Sequence, residues 1–243
     1  NLGDNTKVSS THVVKPVSNR GSRGVMRVLA GEYLDAAISY AEQYDPRKHT
    51  IVEQWIDGVQ LSSESLVQDG KIIYTAFSER NYSRLEETHP FIIEDGGDMP
   101  PSILCVHEND YITKAGTELQ KCVTAMGLRT GVLKGDIVWD GNNIWIIEVA
   151  CRLSGGLFCS DQIPETWGVD FVGMAVRLAL GERVYNGEIK PYFRRHTAQR
   201  FVFPPGISSH TERGPGVIHY GSTREEARQR AYTAINQIEE ATK

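Results

Sequence analysis

The distribution of apolar and polar positions along the chain predicts a mixture of strands and helices. Short apolar-rich segments that end at turns containing Gly, Asp or Ser predict strands, and apolar positions that repeat every three or four residues predict helices. The predicted strands are His12–Val17, Val25–Leu29, Thr50–Ile56, Gln60–Val67, Lys71–Glu79 and His196–Phe203. The predicted helices are Glu32–Tyr44, Asn109–Met126, Asp170–Leu180 and a last one that begins at Ser222. The polar, Pro- and Gly-containing segment Arg80–Pro101 is predicted to be a loop.

This order of elements predicts an α+β fold of two units. A small unit of strands and one helix would span residues 1–58, and a larger unit built on antiparallel strands would span residues 59–243. The chain begins with Asn1 rather than Met and enters a strand after a short polar stretch. We therefore expect it to be the later part of a longer protein.

One predicted hairpin, residues 131–156, carries the clearest chemical information. Two apolar strands flank a turn rich in Asp, Gly and Asn, and each strand has one carboxylate near its middle, Asp136 and Glu148. A three-residue loop would pair Asp140 with Ile144 and would place the two carboxylates directly opposite each other, with Cβ atoms about 5 Å apart. Two opposed, unpaired carboxylates repel, and a divalent cation such as Mg²⁺ between them would remove that cost.

A hairpin edge decorated with solvated acids is the simpler interpretation of these residues, since isolated charges usually face water. Two features favour a functional site instead. Trp139 and residues 144–147 are apolar, which predicts that the hairpin belongs to a buried sheet. Arg152 and a Ser154-Gly155-Gly156 turn follow, and a guanidinium group with backbone N–H groups is suited to holding an anion.

A second candidate site lies in the predicted small unit. Lys15 stands at the end of a strand beside the loop Ser18–Gly24, and a lysine with a Gly- and Ser-rich loop can cover a polyphosphate. A hairpin turn with a solvated lysine is the alternative. We expect the loop to be mobile, because its side-chain-poor tip has little to pack against. The strand end from Glu53 to Ile56 can present backbone groups to a planar base edge, although by itself an ordinary strand is the simpler interpretation.

Composition narrows the class of protein. Hydrophobic residues make up 40% and charged residues 23% of the 243 residues, as in ordinary globular proteins, and the net charge of −5 argues against nucleic-acid binding driven by bulk charge. The apolar runs are shorter than the ~18 residues of a membrane span, and no segment resembles a signal peptide. The four cysteines lack zinc-ligand spacing, so we expect reduced thiols in a cytoplasmic protein.

The three segments, in this order, resemble the ATP-grasp superfamily. The family's phosphate-covering lysine and glycine loop is similar to VVKPVSNRGSRGV. Its adenine-hinge and ribose-contacting strands are similar to VEQWIDGVQLSSESLVQDGK, and its metal-binding hairpin is similar to GDIVWDGNNIWIIEVACRLSGG. GSTREEARQRAYTAINQIE resembles the closing strand and helix of many members, so the resemblance covers nearly the whole chain. It implies an α+β ATP-grasp fold, in which two subdomains bind a nucleotide between them. The Rossmann-like domain that usually precedes them has no counterpart in this chain.

The resemblance also implies a role for each candidate residue. The implied ATP-binding residues are Lys15, Gly21, Ser22, Arg23, Gly24, Val25, Glu53, Gln54, Trp55, Ile56 and Gln60. Asp136 and Glu148 are the implied ligands of Mg²⁺ or Mn²⁺, and the implied catalytic residues are Arg152, Ser154 and Gly155.

The activity implied is ATP-dependent ligation, in which a small carboxylate is activated as an acyl phosphate and attacked by an amine, as in the L-amino-acid-ligase-like branch. A homodimer is compatible with this reading. Ala150 stands where the family commonly has Asn, and Gln60 where it commonly has Glu. The resemblance therefore implies that one metal contact is lost or replaced by water and that the ribose contact is weaker. A nucleotide-binding module without catalysis, or a fragment of a larger ligase, is the alternative. Biotin-dependent carboxylation is a third alternative, but the chain has no convincing counterpart of the bicarbonate-activating residues of that branch.

Overall fold

The computed structural model describes residues 7–241, apart from the side chains of residues 104–109. The described residues form two compact units, each of them discontinuous in sequence. The first unit comprises residues 7–56, Tyr82–Asp95 and Phe201–Pro215. The second comprises Asp57–Asn81, Gly96–Arg200 and residues 216–241.

The first unit therefore differs from the contiguous division that the sequence predicted. The chain passes to the second unit after Ile56, two residues before the predicted boundary at residue 58. The segment Tyr82–Asp95 belongs with the first unit, because Phe91 forms a bridge to Met26 and the carbonyl oxygen of Pro90 accepts the N–H of Arg27 at 2.7 Å. Such pairings join residues far apart in sequence, and periodicity within one segment cannot predict them.

The first unit is built on a three-stranded antiparallel sheet covered by one helix. Its elements are β1 (His12–Pro16), β2 (Met26–Val28), α1 (Asp35–Glu42) and β3 (Thr50–Gln54). The strand order is β2-β1-β3, so β1, which carries Lys15, is the central strand. The predicted hairpin of the first two strands is confirmed, with Val14 opposite Met26. The small, buried core consists of Val8, Val14, Val28, Leu34, Ala37 and Ala41.

The second unit is built on a seven-stranded sheet. Its elements are β4 (Val59–Gln68), β5 (Lys71–Asn81), β6 (Gly96–Met99), α2 (Leu104–Ala125), β7 (Gly131–Trp139), β8 (Ile144–Ala150), a π-helical segment (Phe158–Gln162), α3 (Ile163–Trp167), α4 (Phe171–Ala179), β9 (His196–Phe201), β10 (Gly216–Gly221) and α5 (Arg224–Ala241). The strand order is β10-β9-β6-β5-β4-β7-β8. The hairpin of β7 and β8 thus lies at one end of the sheet, with β8 as the edge strand.

Two apolar cores cover this sheet and leave a polar area on it. Tyr111, Ala115, Leu119 and Val123 of α2 pack with Leu61, Leu133 and Ile137 of the sheet. Alternate residues of a strand face opposite sides, so the even-numbered residues of β4 and β7 face away from that core. Leu66 lies in a second core with α3 and α4. The polar residues Ser62, Glu64, Lys134 and Asp136 lie on the same side and form the base of the candidate site.

The predicted loop Arg80–Pro101 contains a strand that the sequence analysis missed. All four residues of β6 are buried, and the strand pairs with β5 and β9 in the middle of the sheet. Its sequence, Gly-Gly-Asp-Met, has no apolar alternation. A Cβ atom at Gly97 would lie 2.7 Å from Ser78 Oγ, so close backbone packing rather than side-chain pattern defines this strand.

Two further expectations concern the whole chain. Across residues 7–241, no helix has the length and apolar character needed to cross a membrane. Cys122, Cys151 and Cys159 are free thiols, as expected, and the side chain of Cys105 lies outside the described residues.

Candidate active site

The two hairpin carboxylates lie directly opposite each other, as predicted, but the loop that joins the strands is longer than predicted. Trp139 pairs with Ile144, so the loop has four residues and Asp140 is not paired with Ile144. An irregularity in the ladder then shifts the register: Ile137 pairs with Ile146, whereas Asp136 pairs with Glu148. A β-bulge of this kind adds one residue to one strand, and here it restores the predicted opposition.

The carboxylate of Asp136 is surrounded by positive charge and is not unpaired, which corrects the expectation from sequence. Arg80 Nη1 lies 3.2 Å from Oδ1, Ser62 Oγ donates to the same oxygen at 3.0 Å, and the ammonium of Lys134 contacts Oδ2. Burial alone would raise its pKa, but Arg80 and Lys134 outweigh burial and hold the pKa of Asp136 at about 2. The carboxylate is therefore ionised throughout the neutral range.

Lys134 lies between the two opposed carboxylates. Its ammonium contacts Asp136 and lies 3.9 Å from Glu148 Oε1, and its side chain is only 9% exposed. Ala150, on the neighbouring strand, lies opposite Lys134. The repulsion that the sequence analysis assigned to an Asp136–Glu148 pair is therefore relieved here by a side-chain cation.

Glu148 and Arg152 form the exposed part of the site. Their side chains are 56% and 52% exposed, and Arg152 Nη2 lies 4.0 Å from Glu148 Oε1. β8 ends at Ala150, and the N–H of Arg152 donates to the carbonyl oxygen of that residue at 2.9 Å. This turn leaves the guanidinium group beside Glu148 while most of it faces solvent. The structure thus places Arg152 next to Glu148, and its role in holding an anion stays a prediction.

The turn at Ser154-Gly155-Gly156 is held by a residue that the sequence analysis missed. Glu64 is completely buried, and its Oε1 accepts the backbone N–H of Ser154 at 2.5 Å. That N–H is therefore not available for a substrate anion, which corrects one of the backbone donors predicted for this turn. Burial raises the pKa of Glu64 to about 7, although Ser154, Lys134 and Arg152 act in the opposite direction.

The carboxylates fit a magnesium ion by chemistry and by position. Two anionic oxygen donors face each other across neighbouring strands, and a side-chain cation already binds between them. Among the side chains that the structure describes, no three from His, Cys, Asp or Glu gather in a metal-binding arrangement. A cation on this pair would take its other ligands from phosphates and water, as Mg²⁺ commonly does.

In the first unit, Lys15 contacts a residue of the predicted adenine hinge. The ammonium of Lys15 forms an ion pair with Glu53 Oε2, and the two side chains are 20% and 43% exposed. Lys15 lies opposite Ile51 and Glu53 opposite Val13, so the two charged side chains are diagonal neighbours on adjacent strands. The structure thus brings together two residues to which the sequence assigned separate roles.

The predicted phosphate loop is packed, which contradicts the expectation that its tip has little to contact. Ser22 Oγ lies 3.2 Å from His210 Nδ1, and Arg23 Nε donates to Thr211 Oγ1 at 3.2 Å. The N–H of His210 also donates to the carbonyl oxygen of Gly21 at 2.9 Å. These partners lie almost 190 residues away in sequence, so a local reading of the loop could not find them. Gly24 and Val25 complete the loop before β2, and Ser22 and Gly24 have positive φ.

The hinge residues lie at the end of the first of the three segments that make up the first unit. β3 ends at Gln54, which is exposed, and the N–H of Trp55 donates to the carbonyl oxygen of Thr11 at 2.9 Å. Ile56 is the last residue of that segment. Gln60 belongs to the second unit, where it lies opposite Val138.

Four polar residues of the second-unit site were missed by the sequence analysis: Ser62, Glu64, Arg80 and Lys134. Lys134 could have been found, since it lies two residues before Asp136 on the same strand and therefore on the same face. The others depend on which strands pair. Ser62 and Asp136 are 74 residues apart, and only the β4–β7 ladder brings them together.

The fold agrees with the comparisons with known proteins. Residues 3–156 match the family described as the ATP-grasp domain, and the chain belongs to that family. A curated relative, the uncharacterized protein y4rH of Sinorhizobium fredii (strain NBRC 101917 / NGR234), is 25% identical over 181 residues, which are 70% of this chain and 34% of the relative.

Solved structures of similar fold include an L-amino acid ligase from Bacillus licheniformis, which is 18% identical, with a TM-score of 0.72 over 96% of this chain and 64% of that chain. A carboxyaminoimidazole ribonucleotide synthase from Aspergillus clavatus complexed with ATP is 12% identical, with a TM-score of 0.67 over 93% of this chain and 63% of that chain. The chain thus spans about a third of the curated relative and less than two thirds of these two proteins.

Proposed function

We propose that this chain is the ATP-binding and catalytic part of a ligase that joins a small carboxylate to an amine. The observation that carries the proposal is the opposed pair Asp136 and Glu148 with Arg152 beside it, in a chain of the ATP-grasp family. Proteins of this family bind ATP with Mg²⁺. The pair holds Mg²⁺, which neutralises phosphate charge when it is bound.

The chemistry proposed has two steps. A carboxylate oxygen of the substrate attacks the γ-phosphorus of ATP, the bond to the β-phosphate oxygen breaks, and an acyl phosphate and ADP form. An amine then attacks the acyl carbon, phosphate leaves with the bonding electrons of the C–O bond, and the amine loses a proton. Arg152, which is half-exposed and next to the pair, holds the transferring phosphoryl group or the substrate carboxylate.

Residues of the first unit, together with Gln60, supply the nucleotide contacts in this proposal. Lys15 binds the phosphates of ATP, and the loop from Gly21 to Gly24 covers them with backbone N–H groups. Residues 53–56 and Gln60 receive the adenine and the ribose. Because Lys15 is paired with Glu53 in the structure, phosphate must compete with that carboxylate for the ammonium.

A nucleotide-binding module without catalysis is the second candidate. Lys134 between the carboxylates and the small Ala150 opposite it favour this candidate, since they leave fewer anionic or amide ligands for a metal.

One experiment separates the two candidates. The 243-residue chain is incubated with ATP, Mg²⁺ and a panel of amino acids and amines, and ADP release is measured beside ATP binding. We expect ADP release that rises with a particular carboxylate and amine, together with a product of their combined mass less water. Tight ATP binding with no substrate-stimulated ADP release would favour the module, and absence of ATP binding would contradict both candidates.

A further inference from the structure

Lys134 stands out because it binds where the proposed metal would bind. Its ammonium contacts Asp136 and lies 3.9 Å from Glu148, within a strand whose neighbours leave it 9% exposed. A divalent cation and an ammonium repel each other at such short distance, so an ammonium in this position weakens metal binding to the same two carboxylates. Binding of Mg²⁺ to this pair therefore favours movement of the ammonium away from it.

A second carboxylate lies within reach of that ammonium. Glu64 is directly opposite Lys134 in the β4–β7 ladder, which places their Cβ atoms about 5 Å apart on the same face of the sheet. Glu64 is completely buried; Oε1 holds the N–H of Ser154, whereas Oε2 has no hydrogen-bond partner among the described residues. A buried carboxylate oxygen without a partner is costly, and a cation beside it would remove that cost.

The other two cations near Asp136 and Glu148 are less suited than Lys134 to moving to a second carboxylate. Arg80 lies 3.2 Å from Asp136 with its side chain 13% exposed, and its planar guanidinium group is less adaptable than the ammonium on the four-carbon stem of Lys134. Arg152 is half-exposed and 4.0 Å from Glu148. Ala150, opposite Lys134 on the other side, has no side chain that would hinder movement of the lysine stem.

We propose that the ammonium of Lys134 has two positions, one on Asp136 and Glu148 and the other on Glu64, and that Mg²⁺ binding moves it from the first to the second. This inference rests on the proposed function, since it takes the two hairpin carboxylates as the metal site. The movement links the metal to the turn Ser154-Gly155-Gly156, because the ammonium arrives on the carboxylate that accepts the N–H of Ser154. Lys134 is thus a positioning residue that competes with the metal.

The test measures binding of Mn²⁺, in the absence of nucleotide, by electron paramagnetic resonance titration of the chain. Lys134→Met keeps much of the side-chain volume and removes the competing cation, so we expect Mn²⁺ affinity to rise at least 10-fold. Lys121→Met is the matched control, because Lys121 is 67% exposed and forms an ion pair with Glu118 on α2, and it should bind Mn²⁺ like the wild type. Equal or weaker binding by Lys134→Met, or no Mn²⁺ binding by either protein, would overturn the inference.

Glu64→Gln tests the second position, because it removes the negative charge that receives the ammonium. We expect Mn²⁺ to bind at least 3-fold more weakly, and we expect this loss to vanish when Lys134→Met is combined with it. An effect of Glu64→Gln that persists without Lys134 would overturn the second position. Lys134→Gln provides the same comparison should Lys134→Met have a lowered melting temperature.

Glu148→Gln distinguishes failure of this inference from failure of the proposed metal site. Loss of Mn²⁺ binding in Glu148→Gln with unchanged binding in Lys134→Met overturns the competition and leaves the metal site in place. Mn²⁺ binding by Glu148→Gln that equals that of the wild type overturns both the competition by Lys134 and the proposed metal site. Loss in Glu148→Gln with tighter binding in Lys134→Met supports both.

Discussion

Asp136 lies directly opposite Glu148 because of a β-bulge between the pairs Asp136–Glu148 and Ile137–Ile146. The bulge adds one residue to β8 and so compensates for a hairpin loop that is one residue longer than predicted. Without it, the register of Trp139 with Ile144 would place Asp136 opposite Ile147. Two neighbouring residues of β8, Ile147 and Glu148, are both exposed, as expected where alternation is interrupted. The position of the candidate metal pair thus depends on the bulge.

Glu148→Gln tests the pair in catalysis. We expect turnover to fall at least ~100-fold, because Mg²⁺ strongly prefers anionic oxygen and an amide supplies none. The melting temperature should hardly change, since the side chain is 56% exposed. Turnover and thermal denaturation are measured on the same preparation, with Glu118→Gln on α2 as the control. Full turnover in Glu148→Gln would remove this residue from the metal site.

Arg152→Lys separates a role in chemistry from a role in structure. The change keeps the charge and loses the bidentate fork, so turnover should fall at least ~10-fold, since a charge-assisted contact is worth about 2 kcal/mol. Stability should be unchanged, because Arg152 is half-exposed. Arg183→Lys, at a similarly exposed ion pair with Asp69, is the control. An unchanged turnover with a clearly lower melting temperature would show that Arg152 only neutralises the sheet edge.

Glu64→Gln should change how stability depends on pH. The folded pKa of Glu64, about 7, lies above the ordinary value of 4.5. Between these values the folded protein keeps a proton that the unfolded chain has lost, so wild-type stability falls as pH rises from 4.5 to 7. The free energy of unfolding of Glu64→Gln, relative to the wild type, should therefore rise by up to about 3 kcal/mol across this range.

Urea titrations at several pH values measure this difference. Glu86→Gln is the control, because Glu86 is 79% exposed. Parallel curves for Glu64→Gln and the wild type would contradict the raised pKa.

Asp98→Asn should destabilise the second unit severely. The side chain of Asp98 is 3% exposed. Its carboxylate accepts hydrogen bonds from Arg200 Nη1 at 2.7 Å and from Arg224 Nη2 at 3.1 Å, and Arg228 Nε lies 3.4 Å from it. Loss of one partner from a buried ionic group leaves uncompensated charge and costs about 3–5 kcal/mol. Equilibrium unfolding in urea measures this loss of stability, and Asp69→Asn on the surface is the control. A cost below about 1 kcal/mol would show that the arginines are compensated elsewhere.

Gly24→Ala tests the packed phosphate loop. Gly24 has φ +76°, and a Cβ atom there would lie 2.8 Å from the ring of Tyr44. Gly31 also has positive φ, but a Cβ atom there would meet nothing within 4 Å. Both substitutions lower the free energy of unfolding by about 1 kcal/mol because of the backbone conformation, and the clash in Gly24→Ala lowers it further. We expect at least 10-fold weaker ATP binding in Gly24→Ala than in Gly31→Ala; equal affinities would contradict a phosphate-covering role.

The sequence by itself determined the local features of this protein. Its apolar spacing predicted α1, α2, α4 and α5, and the turns between strands predicted the two hairpins that carry the candidate sites. Side-chain alternation within a strand identified the carboxylates and Arg152. These features depend on residues close together in the chain, where period and turn chemistry are decisive.

The tertiary structure alone decided what surrounds those residues. The pairing of β4 with β7 brings Ser62 to Asp136 and Glu64 to Lys134, and the bulge in β8 fixes what faces them. A strand without apolar pattern, β6, is held in the middle of the sheet by its neighbours, and the first unit is assembled from three separate segments. Hydrogen-bond ladders between distant segments set these relationships, and the composition of one segment does not specify its partner.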